Sequence, residues 1–174
     1  MSEVGAVVVR AATTEDIPEI SRIYNHEVGA STASWDSEPE PLARRRAWFD
    51  ARQAAGDAVL VADRGGQILG YGSYGPFRDK DGYARTKEHS IYVDAGARRL
   101  GIGAMLLGSL IETATDAGVH ALVGALSDDN HVSLHLHEAF GFKVVGRVPQ
   151  AGVKFGRWLD LVLVALLLDD APTP

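Results

Sequence analysis

Ile91-Tyr92-Val93, then a short loop, then Arg98-Arg99-Leu100-Gly101-Ile102-Gly103 is the stretch on which the reading of this chain turns. Three residues with strong β-preference feed a glycine-containing loop, and a long apolar-striped segment follows, from Gly103 to Ala117, with Gly118 as a left-handed cap. A strand that passes through such a loop into a helix N-terminus makes an anion site. The first-turn amides have no partner within the helix, and the helix dipole adds about half a positive charge there. Gly101 and Gly103 would let phosphate oxygens approach the backbone without a Cβ in the way. A dinucleotide fingerprint needs a third glycine where Leu106 stands, and a tighter strand-to-loop gap. A triphosphate loop needs Gly-Lys-Ser/Thr, which is missing. What remains is Arg-x-x-Gly-x-Gly.

Working outward, Val7–Arg10 reads as a first strand, and Thr13 or Thr14 caps a helix through about Val28. A second helix is expected over Leu42–Ala55. Ala58–Asp63 and Gln67–Tyr74 flank Gly65-Gly66, a two-residue hairpin signal because both glycines tolerate positive φ. Glu88–Val93 is the next strand, followed by the long helix. Val119–Leu126 then reads as strand, Val132–Phe140 as helix ending at Gly141, Phe142–Val148 as strand and Trp158–Leu168 as the closing strand. This order predicts an α/β (α+β mixed) domain: a central mixed, mostly antiparallel sheet with helices on both faces. One domain is expected over residues 1–170, with a frayed tail at 171–174.

The totals narrow the function. A chain of 174 residues with 46% hydrophobic and 23% charged residues is an ordinary globular composition. Its formal net charge of −6 argues against a nucleic-acid partner. Without cysteine there is no disulfide, thiolate metal site or cysteine nucleophile. No leader or membrane-length apolar run is evident, so a cytoplasmic, soluble protein with no membrane partner is expected. His131 and His135 share a helix, but no third ligand accompanies them, and no metal is expected.

A second motif lies downstream: Asn130-His131-x-Ser133, then Leu136-His137-Glu138-Ala139-Phe140-Gly141-Phe142. Together with the Arg-x-x-Gly-x-Gly loop it resembles the two signatures of the GNAT superfamily of N-acetyltransferases, in order and at the right separation. Ile23-Tyr24-Asn25, Trp35, Tyr74-Gly75-Pro76-Phe77-Arg78, Glu88-His89-Ser90-Ile91-Tyr92-Val93 and Lys154-Phe155-Gly156-Arg157-Trp158-Leu159-Asp160 make the chain similar to the phosphinothricin and methionine sulfoximine acetyltransferase branch. The resemblance implies a GNAT fold, acetyl-CoA as co-substrate, a homodimer, and an amino-acid analogue as acceptor, with a role in detoxification and in antibiotic or herbicide resistance. It implies that Ile91, Tyr92, Val93, Arg98, Arg99, Leu100, Gly101, Ile102, Gly103, Asn130 and Ser133 bind the cofactor. It further implies that Trp35 and Phe77 wall an acceptor pocket with Arg78, Asp79, Lys80, Lys87, Glu88, His89 and Lys154. Lys154 would come either from a partner subunit or from the closing hairpin.

Chemistry assigns roles beside the resemblance. An ammonium group is not a nucleophile, so acyl transfer to it needs a base. Glu88, expected at a buried strand start with a raised pKa, is the candidate. His137 stands where many GNAT enzymes have a tyrosine, and an imidazole there could protonate the leaving thiolate, although a helix histidine is as readily a packing group. A main-chain N–H near Tyr92 or Val93 would polarise the thioester oxygen. Another acceptor amine (a protein N-terminus, a polyamine, an aminoglycoside) and a non-catalytic CoA-binding module are the alternatives.

Overall fold

The computed structural model describes residues 5–169; the tail expected to fray at 171–174 lies outside them. Seven strands form one sheet: β1 (Val8–Ala11), β2 (Val59–Arg64), β3 (Gln67–Pro76), β4 (Thr86–Val93), β5 (Ala121–Ser127), β6 (Lys143–Lys154) and β7 (Arg157–Leu167). The helices are α1 (Ile17–Ala30), α2 (Leu42–Ala55), α3 (Ile102–Asp116) and α4 (His131–Ala139). The sheet order is β1-β2-β3-β4-β5-β7-β6. Every neighbouring pair is antiparallel except β4–β5, which is parallel. The mixed, mostly antiparallel sheet with helices on both faces is therefore present.

Each face buries its own apolar cluster. α1 and α2 bring Ile17, Ile20, Ile23 and Phe49 against Val59, Val61, Ile68 and Tyr71. On the opposite face, Ile102, Leu106, Leu107 and Leu110 of α3 pack on Leu60, Leu69 and Leu122, with Leu136 and Phe140 of α4 beside them. The sheet is shaved where α3 crosses it: a Cβ on Gly72 would lie 2.8 Å from Leu110 Cδ1. Gly65 and Gly66 take φ of 61° and 91°, which makes the tight β2–β3 turn, and Gly118 closes α3 at φ 75°.

The strand expected at Phe142–Val148 is longer than its periodicity suggests. β6 runs to Lys154, absorbing Pro149 and Gly152 through register shifts at Val144/Gly146 and Val148/Gly152. It turns into β7 over Phe155-Gly156, both at positive φ. This hairpin folds back over the loop between α1 and α2. Trp35 lies so close to Gly152 that a Cβ there would overlap its ring.

Candidate active site

The parallel ladder joins only Thr86–His89 to Ala121–Gly124, yet β4 continues to Val93 and β5 to Ser127. Past His89 and Gly124 the two strands no longer pair. Ser90–Val93 and Ala125–Ser127 therefore bound a wedge in the middle of the sheet, with main-chain polar groups on its edges that lack a strand partner.

α3 begins where this wedge is open. Asp94 ends the strand, accepts a bond from the Gly96 N–H at 2.8 Å and pairs with Arg22 at 2.6 Å. Arg98 pairs with Glu27 of α1, tying the loop down. Arg99 adopts φ 63° and Gly101, the N-cap, φ 78°. The two glycines divide the work expected of both. A Cβ on Gly101 would meet nothing within 4 Å, whereas one on Gly103 would lie 3.2 Å from Leu136 Cδ2. Gly103 thus lets α4 approach α3, and Gly101 supplies the left-handed turn that frees the first-turn amides. On α4, Asn130 Oδ1 accepts from the Ser133 N–H at 3.2 Å, so Asn130 caps the helix.

On the α1–α2 face a cavity of about 320 Å³ opens beside β4, with Glu88, Ser90 and Tyr92 along one wall. Glu88 is exposed to this cleft rather than buried at a strand start. Desolvation still raises its pKa above the usual carboxylate value, opposed by the charges of Arg78 and Arg52. Tyr24, Trp48, Tyr71 and Tyr92 supply aromatic walls, with Tyr71 and Tyr92 stacked at 5.3 Å. Arg45 lies 4.0 Å over the Tyr24 ring and pairs with Glu40.

His89 borders the cleft, but strand alternation sends its imidazole to the other face, where it meets His137 and Phe142. The two Nε2 atoms are 2.8 Å apart, and His137 Nδ1 is 2.6 Å from the Ser133 carbonyl oxygen. A carbonyl only accepts, so the Nδ1 of His137 carries hydrogen, and in the neutral pair the Nε2 of His89 donates. Burial, reinforced by His137, lowers the His89 pKa to about 3, and burial also lowers that of His137. The pair packs on β5 at Gly124, where a Cβ would lie 3.2 Å from His89 Cε1 and 3.5 Å from His137 Nε2. It sits at the vertex of the wedge.

The remaining residues expected around an acceptor are dispersed. Lys87 Nζ is 2.7 Å from Asp57 Oδ1. Lys154, 5% exposed, donates to the carbonyls of Ser34 and Asp36 at 2.5 and 2.8 Å. Both ammonium groups are committed to the fold, and Lys154 acts within its own chain from the β6–β7 hairpin. Phe77 packs edge-on against Tyr83, Arg78 lies 5.0 Å from the Phe77 ring, and Asp79 and Lys80 are exposed. The helix expected over Leu42–Ala55 is present, but its part in the cleft was not foreseen: Arg45, Trp48 and Arg52, spaced three and four apart, turn one helical face into it. Two arginines on the stripe of Trp48 were the available signal.

This arrangement has known counterparts. Residues 20–142 match the acetyltransferase (GNAT) family, and the chain belongs to that family. The L-methionine sulfoximine/L-methionine sulfone acetyltransferase of Pseudomonas aeruginosa is 47% identical over 162 residues, 92% of this chain and 94% of that one. The phosphinothricin N-acetyltransferase of Streptomyces coelicolor is 34% identical, covering 89% and 92%. The Salmonella typhimurium protein yncA, solved with its cofactor acetyl-CoA, superposes with a TM-score of 0.95 at 40% identity over 98% of both chains.

Proposed function

We propose that this chain transfers the acetyl group of acetyl-CoA to the α-amine of a small amino-acid analogue such as L-methionine sulfone, L-methionine sulfoximine or phosphinothricin. The observation that carries the reading is the placement of Glu88: on β4, facing an aromatic cleft, one residue before the point where β4 and β5 cease to pair. A carboxylate of raised pKa there can take the proton of an entering ammonium group, directly or through one water. The relatives named for methionine sulfoximine and phosphinothricin acetylation support the acceptor class.

The residues fit acetyl-CoA. Unpaired main-chain groups along Ser90–Val93 suit the amides of a pantetheine arm, and the first-turn amides of α3 with Arg99 suit a pyrophosphate. When bound, acetyl-CoA supplies an activated acyl thioester. Of the two N–H groups expected to serve an acyl oxygen, that of Tyr92 faces β3 in register with Tyr71, which leaves that of Val93 as the donor. Asn130 and Ser133 on α4 are placed for the arm's polar groups. We give the His89–His137 pair the task of fixing the vertex of the wedge, since each ring nitrogen facing the other is already used. Exposed Val145, Phe155 and Trp158 on the β6–β7 hairpin support a homodimer. Acetylation of toxic amino-acid analogues would make the enzyme a detoxifying one.

Release of free CoA thiol across an amine panel tests the acceptor. The expected order places L-methionine sulfone, L-methionine sulfoximine and phosphinothricin above spermidine, an aminoglycoside and a peptide N-terminus. Faster turnover of any of the last three would overturn the acceptor class. For the cofactor, Gly101→Asp sets a negative charge at the α3 N-terminus, and aspartate tolerates left-handed φ better than most residues. Acetyl-CoA affinity should fall at least tenfold, about 1.4 kcal/mol. Unchanged affinity by calorimetric titration would remove the pyrophosphate assignment.

A further inference from the structure

We propose that Arg52 grips the α-carboxylate of the acceptor, and that position 75 is glycine in order to seat that guanidinium beside Glu88. The inference rests on the acceptor being an α-amino acid, whose amine and carboxylate share one carbon. Any site that presents the amine to Glu88 must therefore meet the carboxylate within the same few ångströms, and a cation there would both hold it and select for it.

The cations in and around the cleft differ in what already holds them. Arg45 is paired with Glu40 and pressed between Tyr24 and Trp48. Arg44 also leans on Glu40, at 3.7 Å. Lys87 and Lys154 are held by Asp57 and by two carbonyls. Arg78 and Lys80 stand on an exposed loop, where water weakens a charge pair. Arg52 differs from all of these. It lines the cleft half-buried, its Nε is shielded from solvent with no hydrogen-bond partner, and no carboxylate pairs with it among the described residues. A buried donor without an acceptor, on a guanidinium that is otherwise open to the cleft, is an incomplete structure until an acceptor arrives.

The backbone makes room for it in one place. A Cβ added to Gly75 would overlap the Arg52 guanidinium, so the group rests directly on the β3 backbone. Gly75 is the cross-strand partner of Glu88. Directly opposed residues project to the same face from points about 4.5–5.5 Å apart. The guanidinium occupies the space that a side chain at 75 would have filled, on the backbone position directly across from Glu88. Arg78 and, after it, Arg52 lower Glu88's proton affinity, so the charge of each reaches the carboxylate; of the two, Arg52 is the one set into the cleft wall. Tyr71, whose buried hydroxyl also lacks a partner, lines the same cavity.

The test compares two acceptors, L-methionine sulfone and 3-(methylsulfonyl)propylamine, which is the same molecule without its carboxylate. Wild-type enzyme should prefer the amino acid. Arg52→Met keeps the aliphatic stem and should raise KM for L-methionine sulfone at least tenfold, with kcat little changed because the contact exists in ground and transition states alike. Its kcat/KM for the propylamine should stay within threefold. Removing the charge should also move the acidic limb of the kcat–pH profile to higher pH, which loss of packing alone would not do. Gly75→Ala retains the charge but displaces it, and should show the same selective KM effect, providing a second route if Arg52→Met folds poorly. Equal losses on both acceptors, or no loss on either, would overturn the role of Arg52 while leaving the acceptor class intact. A wild-type enzyme that acetylates no α-amino acid would overturn the acceptor class itself, and this inference with it.

Discussion

Replacing Glu88 by glutamine is expected to lower kcat by roughly 10²–10⁴ while acetyl-CoA still binds. Glutamine keeps the size and the hydrogen-bonding reach of the side chain and removes its capacity to take a proton. Desolvation raises the Glu88 pKa, so wild-type kcat should increase with pH as the carboxyl ionises. The deficit of Glu88→Gln should then narrow at alkaline pH, where a growing share of the amine arrives unprotonated and no base is needed. A steady-state series from acid to alkaline pH reads both effects. Activity within twofold of wild type at neutral pH would mean that another group, or solvent, accepts the proton.

Mild acid should destabilise the fold through His89 and His137. In the unfolded chain a histidine takes up a proton near its ordinary pKa of about 6.5. In the native protein burial holds His89 neutral until about pH 3, and shifts His137 in the same direction. Between those limits the unfolded state binds more protons, so stability is fully present above about pH 6.5 and falls as the pH drops. His89 contributes a slope approaching about 1.4 kcal/mol per pH unit below 6.5, and His137 adds to it in the same direction. His89 alone should therefore cost about 2 kcal/mol by pH 5, before most carboxylates titrate. Urea unfolding at stepped pH measures this. His89→Gln, which retains one donor toward His137 and cannot be charged, should flatten the slope between pH 5 and 6.5. Superimposable slopes for the two proteins would disprove the account.

The parts of the fold legible in the sequence are those whose signal is local. Gly65-Gly66 marks its hairpin because two successive positive φ values suit few other residues. Gly118 marks the end of α3 for the same reason, and the loop before α3 shows in its glycines. β6 was only half legible: the strand expected over Phe142–Val148 stops before Pro149 and Gly152, and only pairing with β7 shows the bulges that accommodate them. The cleft was largely hidden. Arg45 and Arg52 on α2 become cleft residues only where that helix meets α1 and β3, which their spacing alone does not announce. Lys87 and Lys154 look like free cations in sequence. Their partners, Asp57 on one hand and the Ser34 and Asp36 carbonyls on the other, lie far away along the chain. Glu88 stands out as a candidate in the sequence because its strand leads straight into the anion loop, and the structure turns it toward the cleft.

The unpaired stretch between β4 and β5 has a thermodynamic consequence. A sheet interrupted at its centre is cooperative on either side and loose at the gap, so the halves β1–β4 and β5–β7 are coupled mainly through four residue pairs and the helices that straddle them. A ligand whose amides bridge Ser90–Val93 would act as a surrogate strand and complete the ladder. Amide hydrogens at the gap would then exchange more slowly in the occupied protein, and the two halves would unfold in closer concert. In that sense the small molecule is a missing structural element of the domain as much as it is a reactant.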